Sequence, residues 1–417
     1  MGRSNLDTKR RFFEKKRQWS LIKDAVLETY LEPYLAKIAR FAQPVRIADA
    51  FAGKGCFDDG TPGSPLIICN AIRKQLSRQE NKALDIKAVL IEKRHTAELT
   101  QNVSVFRYAR ILDGNYADRM QFLVEQYPSR GKHLFLYVDP FGIKSLLFSH
   151  FQALKKTRFE TMELLLNMNA FGFLREGCRL LDLAAREETE KPAEYDADVN
   201  SPERLDSIAG GDYWRDIVCR YHRGEMQMGE AEGEFSRQYC ARMREIFKYV
   251  IDIPIKARIE HIPKYRIVFG TNHADGLLLM ADNMNRRWEE FRLEQSAGQS
   301  TLFEVDFPSP SALEESFKLE ESILREVSQG EIALRALLIS RIERYGICFS
   351  PSRYVDILKR LESDKAVRVR RDPARTPTGR RCTGWNADQK RYRVYISRVE
   401  QWQPSLPSSG PNRRGIR

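Results

Sequence analysis

The sequence predicts an α/β fold: a mostly parallel, doubly wound sheet with an antiparallel edge pair and a helical insertion, followed by a small basic domain of winged helix-turn-helix type. Three observations carry this expectation. Strand-like and helix-like segments alternate from Val45 to Asn167, the first strand stops at a glycine-rich turn, and the whole net charge lies beyond residue 340.

The elements follow in order. Residues 6 to 41 read as a leading helix, with Leu21, Ile22, Ala25, Val26, Tyr30, Leu31, Tyr34 and Leu35 at three and four spacing. Strands are expected at Val45–Phe51, Ala88–Ile91, Phe106–Leu112, Leu134–Val138 and Met162–Asn167, with helices around 65–76, 97–103 and 117–127 between them. A polar, helical insertion occupies about 173–249. Tyr265–Gly270 and Gly276–Met280 flank a Thr-Asn-His-Ala-Asp turn and are expected to close the sheet as an antiparallel edge pair. His273 and Asp275 lie in that turn, where a structural or solvated role is expected because no base is demanded.

The domain plan is a lead-in over 1–42, a sheet domain over 43–295, a linker over 296–312, a basic domain over 313–402 and a basic tail over 403–417. In the basic domain, helices near 313–327, 331–345 and 350–361 precede strands at Ala366–Arg370 and Arg391–Ser397, joined by a Pro, Gly and Arg-rich loop. Helices followed by a basic hairpin are the order of a winged helix.

Residues 341–417 hold 19 Lys and Arg against 7 Asp and Glu, whereas 1–340 carry 50 of each, so the formal charge of +12 belongs to the C-terminal region. Localised positive charge favours a polyanionic partner, DNA or RNA, through counterion release. Arg368, Arg370, Arg371, Arg375, Arg380, Arg381, Lys390, Arg391 and Arg393 are the candidate phosphate contacts; Trp385, Tyr392 and Tyr395 either stack on bases or pack the hairpin. No apolar run approaches the roughly 18 residues needed to cross a bilayer, and the polar start of the chain reads as no secretion signal. The expected location is cytoplasmic, with no membrane association. Seven cysteines without a C-x-x-C pair are expected to be reduced structural thiols, and no histidine spacing suggests a metal.

The chemical signal is Asp49-Ala50-Phe51-Ala52-Gly53-Lys54-Gly55 at the end of the first strand. Glycines there let a ligand approach the backbone, in the crevice where open α/β sheets bind nucleotides. The third glycine of a pyrophosphate-binding turn is missing, and an acid just before the glycines repels phosphate but suits a ligand with an amino group and positive charge. S-adenosylmethionine has both. The fourth strand ends in Asp139-Pro140-Phe141-Gly142. A carboxylate and a carbonyl there can accept the protons of a conjugated amine while the aromatic ring stacks on its base.

These residues carry a resemblance. The glycine turn resembles the D-x-F-A-G-x-G motif of nucleic-acid methyltransferases, which are Rossmann-like enzymes. By it Asp49, Phe51, Ala52, Gly53 and Gly55 are implied to hold S-adenosylmethionine, with Glu92 on the ribose and Asp113 or Asn115 facing the adenine. Asp139-Pro140-Phe141-Gly142 is similar to the turn of tRNA guanine N2-methyltransferases and lacks the second proline of adenine enzymes, which leaves the target base open. Over residues 10 to about 295 the pattern resembles the three-Cys-motif partner (TcmP) family. The matching marks are the Trp19-to-Tyr34 helix, both turns, Tyr265–Phe269 and His273-Ala274-Asp275-Gly276 with Met280. That resemblance implies a C-terminal winged helix and a radical-SAM-like partner bearing three cysteines. From the two methyltransferase-like turns two functions are expected: methyl transfer to an exocyclic base amine, or a catalytically silent adaptor of the same fold that binds DNA.

Overall fold

A computed structural model describes residues 18–78, 84–183, 199–256, 258, 261–297, 315, 317–385 and 392–399. The chain divides into two compact units, Met1–Leu302 with Tyr345–Cys348, and Phe303–Arg344 with Phe349–Arg417.

In the first unit, helix α1 (Gln18–Ile38) precedes strand β1 (Val45–Asp49). Then come α2 (Ser64–Ser77), β2 (Ile86–Glu92), α3 (Thr96–Val103), β3 (Ala109–Asp113), α4 (Tyr116–Glu125), β4 (His133–Val138), α5 (Phe148–Ala153) and β5 (Thr161–Met168). Helices α6 (Ala170–Leu180), α7 (Pro202–Ala209), α8 (Tyr213–Arg223) and α9 (Met228–Met243) follow, then β6 (Tyr249–Ile255), β7 (Tyr265–Thr271) and α10 (Ala274–Ala297). The seven strands are ordered β3-β2-β1-β4-β5-β7-β6, with β1 to β5 parallel and β7 antiparallel to both neighbours.

Every residue of β1 and β4 is buried, which follows from their central place and continuous apolar runs. One face packs α1 through the Tyr30 ring, whose centroid lies 5.7 Å from that of Phe135 and 5.4 Å from that of Phe269. Toward the other face, Leu134, Leu136 and Leu164 join a core that runs through α4 to α9 and includes Phe173, Trp214 and Phe235. The sequence-predicted insertion thus forms helices that cover the sheet.

The antiparallel pair differs from the sequence expectation. Tyr265–Thr271 pairs with Tyr249–Ile255, and Gly276–Met280 is the start of α10. Leu277, Met280, Ala281 and Met284 are all buried, at the spacing of one helix face. His273 therefore precedes a helix and is not part of a hairpin turn. The third strand begins at Ala109, with Phe106 in the turn before it under the Arg73 guanidinium.

The second unit contains α11 (Leu319–Val327), β8 (Ile332–Ala333), α12 (Leu334–Tyr345), α13 (Pro351–Ser363), β9 (Val367–Asp372) and β10 (Arg393–Arg398), with an antiparallel sheet in the order β8-β10-β9. Ser350 caps α13: its Oγ accepts the Arg353 amide at 3.1 Å, and Pro351 occupies the first turn. Arg341, buried in α12, ties that helix to Ser322 and Glu326 of α11. Residues 331–333, read from sequence as helix, instead leave a two-residue strand that pairs with Tyr395 and Ile396. Among the described residues no helix is long and apolar enough to cross a membrane. The linker beyond Ala297, residues 6–17 of the expected leading helix and the tail lie outside the described residues, as do Lys390 and Arg391.

Candidate active site

The carboxyl ends of β1, β2, β3 and β4 lie side by side, with Asp49 in register with Leu90 and Tyr137, and Glu92 with Asp113. The turn after β1 is tied to both neighbouring strands: the Ala50 amide donates to the Tyr137 carbonyl (2.9 Å) and the Ala52 amide to the Ile91 carbonyl (3.0 Å). Gly53 (φ 61°) and Gly55 (φ 85°) then take left-handed conformations that a side chain disfavours.

Two carboxylates organise this turn. Glu92 receives the Gly53 amide on Oε2 (2.8 Å), and the Arg94 (2.6 Å) and His95 (3.1 Å) amides on Oε1. Asp49 is wholly buried. Its Oδ1 accepts the Phe51 amide at 3.1 Å, while its buried Oδ2 has no hydrogen-bond donor. Burial pushes the Asp49 carboxyl up to about 7; the Ser64 hydroxyl and Phe51 amide oppose this, and the charges of Asp139 and Asp24 add to it. Asp139 follows Tyr137, the register partner of Asp49 on the adjacent strand, by two residues.

Phe51 stacks on Tyr116, with ring centroids 4.9 Å apart. Asp113 is exposed and receives the Thr96 hydroxyl at 3.0 Å. Asn115 caps α4, its Oδ1 accepting the Asp118 amide at 3.0 Å.

Asp139 is the most heavily bonded side chain at this edge. Its Oδ1 accepts from Lys23 Nζ (2.9 Å) and Asn167 Nδ2 (2.7 Å), and its Oδ2 from Lys23 Nζ (2.7 Å) and the Tyr137 hydroxyl (3.2 Å). Lys23 Nζ also lies 5.2 Å from the centre of the Tyr265 ring. Pro140 and Gly142 are partly covered, whereas Phe141 is 49% exposed, a large apolar ring facing outward beside the carboxylate. The structure therefore brings together Asp49, Phe51, Ala52, Gly53, Gly55 and Glu92 with Asp139, Pro140, Phe141 and Gly142. It adds Lys23, Tyr137, Asn167 and Tyr265, which sequence reasoning misses. A lysine inside the otherwise apolar face of α1 is the one signal that could have pointed to them.

The predicted arginines of the second unit divide into two groups. Arg370 is bound by Glu331 and lies over the Tyr395 ring at 4.2 Å, and Arg371 pairs with Glu362 at 3.3 Å beside Trp385. Arg375 donates to the Gly379 carbonyl at 3.0 Å. Arg368, Arg380, Arg381 and Arg393 are exposed. Of the candidate phosphate contacts, Arg370 and Arg371 are thus already paired with carboxylates within the fold.

A separate cleft of about 380 Å³ is lined by Glu232, Lys256, His261, Arg266 and Trp288. Its central Arg266 is paired with Glu232 (2.8 Å) and Asp252 (2.6 Å), and none of the predicted site residues line it.

No family model and no curated protein matches this sequence. Among solved structures the chain is similar to spermidine synthase from Thermotoga maritima, at 10% identity over 72% of this chain and 75% of that one, with a TM-score of 0.29. It is also similar to the O-methyltransferase TomG from Streptomyces achromogenes in complex with SAM (10%, 64% and 95%, TM-score 0.30). A third is the O-methyltransferase from Bacillus cereus in complex with SAH (8%, 64% and 86%, TM-score 0.30). Similarity at this level carries no argument about reaction or substrate. By the order and directions of its own strands, the chain has a Rossmann-like α/β fold, a seven-stranded sheet in which β7 alone runs opposite to the other strands.

Proposed function

We infer that this protein is an S-adenosylmethionine-dependent methyltransferase acting on an exocyclic amine of a nucleic-acid base, in DNA or RNA. The observation that carries the reading is the buried, donorless Oδ2 of Asp49 beside two left-handed glycines, one strand away from Asp139. A buried carboxylate oxygen without a donor is costly unless a ligand supplies one, and an amino group fits that need. The residues present therefore suit the cofactor: Asp49 for its cationic amino acid end, Gly53 and Gly55 for close backbone approach, and Glu92 with Asp113 along the neighbouring strand ends. S-adenosylmethionine, when bound, supplies a methyl group on positively charged sulfur. Asp139 and the Pro140 carbonyl would orient the acceptor amine, Phe141 would stack on its ring, and the base would be presented flipped or single-stranded.

The second unit, with its helix, strand, helix, helix, strand, strand order, supports a winged-helix reading, and the exposed Arg368, Arg380, Arg381 and Arg393 would meet phosphates. The resemblance to the TcmP family supports a radical-SAM-like partner with three cysteines. A second reading, a silent adaptor that binds DNA, is favoured by one observation: every acceptor position of Asp139 is filled from within the chain.

Calorimetric titration with S-adenosylmethionine should give saturable heat for the wild type and at least tenfold weaker binding for Asp49→Ala, a loss of roughly 1.4 kcal/mol or more. Absence of saturable heat from the wild type would remove the cofactor assignment, and equal binding by both proteins would remove Asp49 from the site. Labelled methyl incorporation into mixed RNA and DNA, with and without the three-cysteine protein, separates enzyme from adaptor, because transfer in neither case favours the adaptor. For nucleic-acid binding, changing Arg368, Arg380, Arg381 and Arg393 together to glutamine should flatten the log-log salt dependence by roughly 0.7 to 0.9 for each phosphate no longer neutralised. Arg370→Gln, already neutralised by Glu331, should leave the slope unchanged.

A further inference from the structure

We propose that the Asp139 carboxylate is an exchangeable amine site whose resident occupant is Lys23 of α1, and that the acceptor's amino group binds by taking the place of the lysine ammonium. This rests on the methyltransferase reading only for the identity of the incoming amine.

A carboxylate offers about four lone-pair positions, two on each oxygen. Asp139 has all four occupied, by two contacts from Lys23 and one each from Asn167 and Tyr137. An incoming N–H can therefore be received only after one donor departs. Tyr137 and Asn167 are buried residues of β4 and β5, fixed in the sheet: Tyr137 between Asp49 and Leu165 of its parallel neighbours, and Asn167 against Ile267 of the antiparallel β7. Lys23 alone reaches the carboxylate from outside the sheet, on a flexible four-carbon stem. The pair is covered but not sealed, with side-chain exposures of 11% for Lys23 and 22% for Asp139.

The ammonium also has the contacts an acceptor amine would want: two carboxylate oxygens, and an aromatic face 5.2 Å away in Tyr265. Exchange must leave no charge stranded. A neutral base amine satisfies the hydrogen bonds of Asp139 but frees a lysine cation, which needs a new anion; a nucleic-acid acceptor brings one in its phosphate. Lys23 is therefore a positioning residue that favours an amine attached to a polyanion over a free neutral amine.

Thermal denaturation of full-length Lys23→Ala in n-propylammonium chloride tests the exchange, with tetramethylammonium chloride at the same ionic strength as control. The variant is expected to melt below the wild type and to recover by roughly 2–4 °C, saturably, with propylammonium only. Wild type and the Lys23→Ala/Asp139→Asn double variant should not respond. If propylammonium and tetramethylammonium act alike on Lys23→Ala, the proposal is overturned. Should that variant fail to fold, Lys23→Met keeps the stem and takes the same titration. On the wild type, acylation of Lys23 by an amine-reactive ester, read by peptide mass spectrometry, should rise when adenosine and guanosine monophosphates are added; unchanged labelling overturns the proposal. Neither measurement needs cofactor or turnover. Its failure is therefore distinguishable from failure of the cofactor reading, which calorimetry on Asp49 decides.

Discussion

Replacing Glu163 with glutamine is expected to stabilise the protein by roughly 4 kcal/mol at pH 8 and to change little at pH 4. Glu163 stands on β5 and is buried beneath α1 and the start of α10. Its Oε2 accepts the Tyr30 hydroxyl at 2.6 Å and its Oε1 the Thr271 hydroxyl at 3.4 Å, while Lys37 of α1 is engaged by Asp275 at 3.1 Å. Burial pushes the Glu163 carboxyl up to about 7, against the pull of Tyr30, Thr271 and Lys37 and with a small push from Asp275. An acid raised on folding stabilises the native state fully below its unfolded value near 4.3, and that contribution is lost as pH rises through about 7. Glutamine keeps an acceptor for Tyr30 and cannot ionise. Chemical denaturation of both proteins at the two pH values isolates the effect, because the other titrating groups, Asp49 among them, cancel in the difference. A gap between the proteins that does not widen with pH would show that Glu163 titrates alike in the folded and unfolded chains.

Trp214→Ala should cost about 3–5 kcal/mol, read as a lower denaturation midpoint. Trp214 is among the largest fully buried side chains, packed edge-on to Phe173 at 5.7 Å, with its indole N–H donating to Asp206 at 2.8 Å. The fit is close enough that a Cβ on Gly177 would meet the indole at 2.8 Å. Alanine would leave a cavity between α6 and α8 and strip Asp206 of a donor, though Arg215 still holds that carboxylate. A loss below about 1 kcal/mol would mean that the helices close over the gap, contrary to the tight packing seen.

The parallel part of the sheet is legible in the sequence because its strands are short apolar runs punctuated by glycine and proline. Val45–Asp49 and His133–Val138 carry the signature of strands covered on both faces, and their ends mark Asp49 and Asp139 as candidates. The antiparallel pair reads wrongly for a local reason. Gly-Leu-Leu-Leu-Met at 276–280 is too short and too uniformly apolar for periodicity to separate strand from helix, whereas Tyr249–Ile255, with a proline, sits at the end of a helical stretch. The site's missing members are long-range partners. Lys23 and Asp139 are 116 positions apart, and nothing in the neighbourhood of either announces the other. The partner of Arg370 is hidden in the same way: Glu331 lies 39 positions away.

Strand β6 forms one border of the main sheet, and it carries Pro254 opposite Arg266. An imino acid there withdraws one of the amide hydrogens that a further chain would need in order to extend the ladder. Growth of the sheet from molecule to molecule is thereby discouraged on that flank, and crowded solutions of the folded protein should resist fibrillar self-association nucleated there.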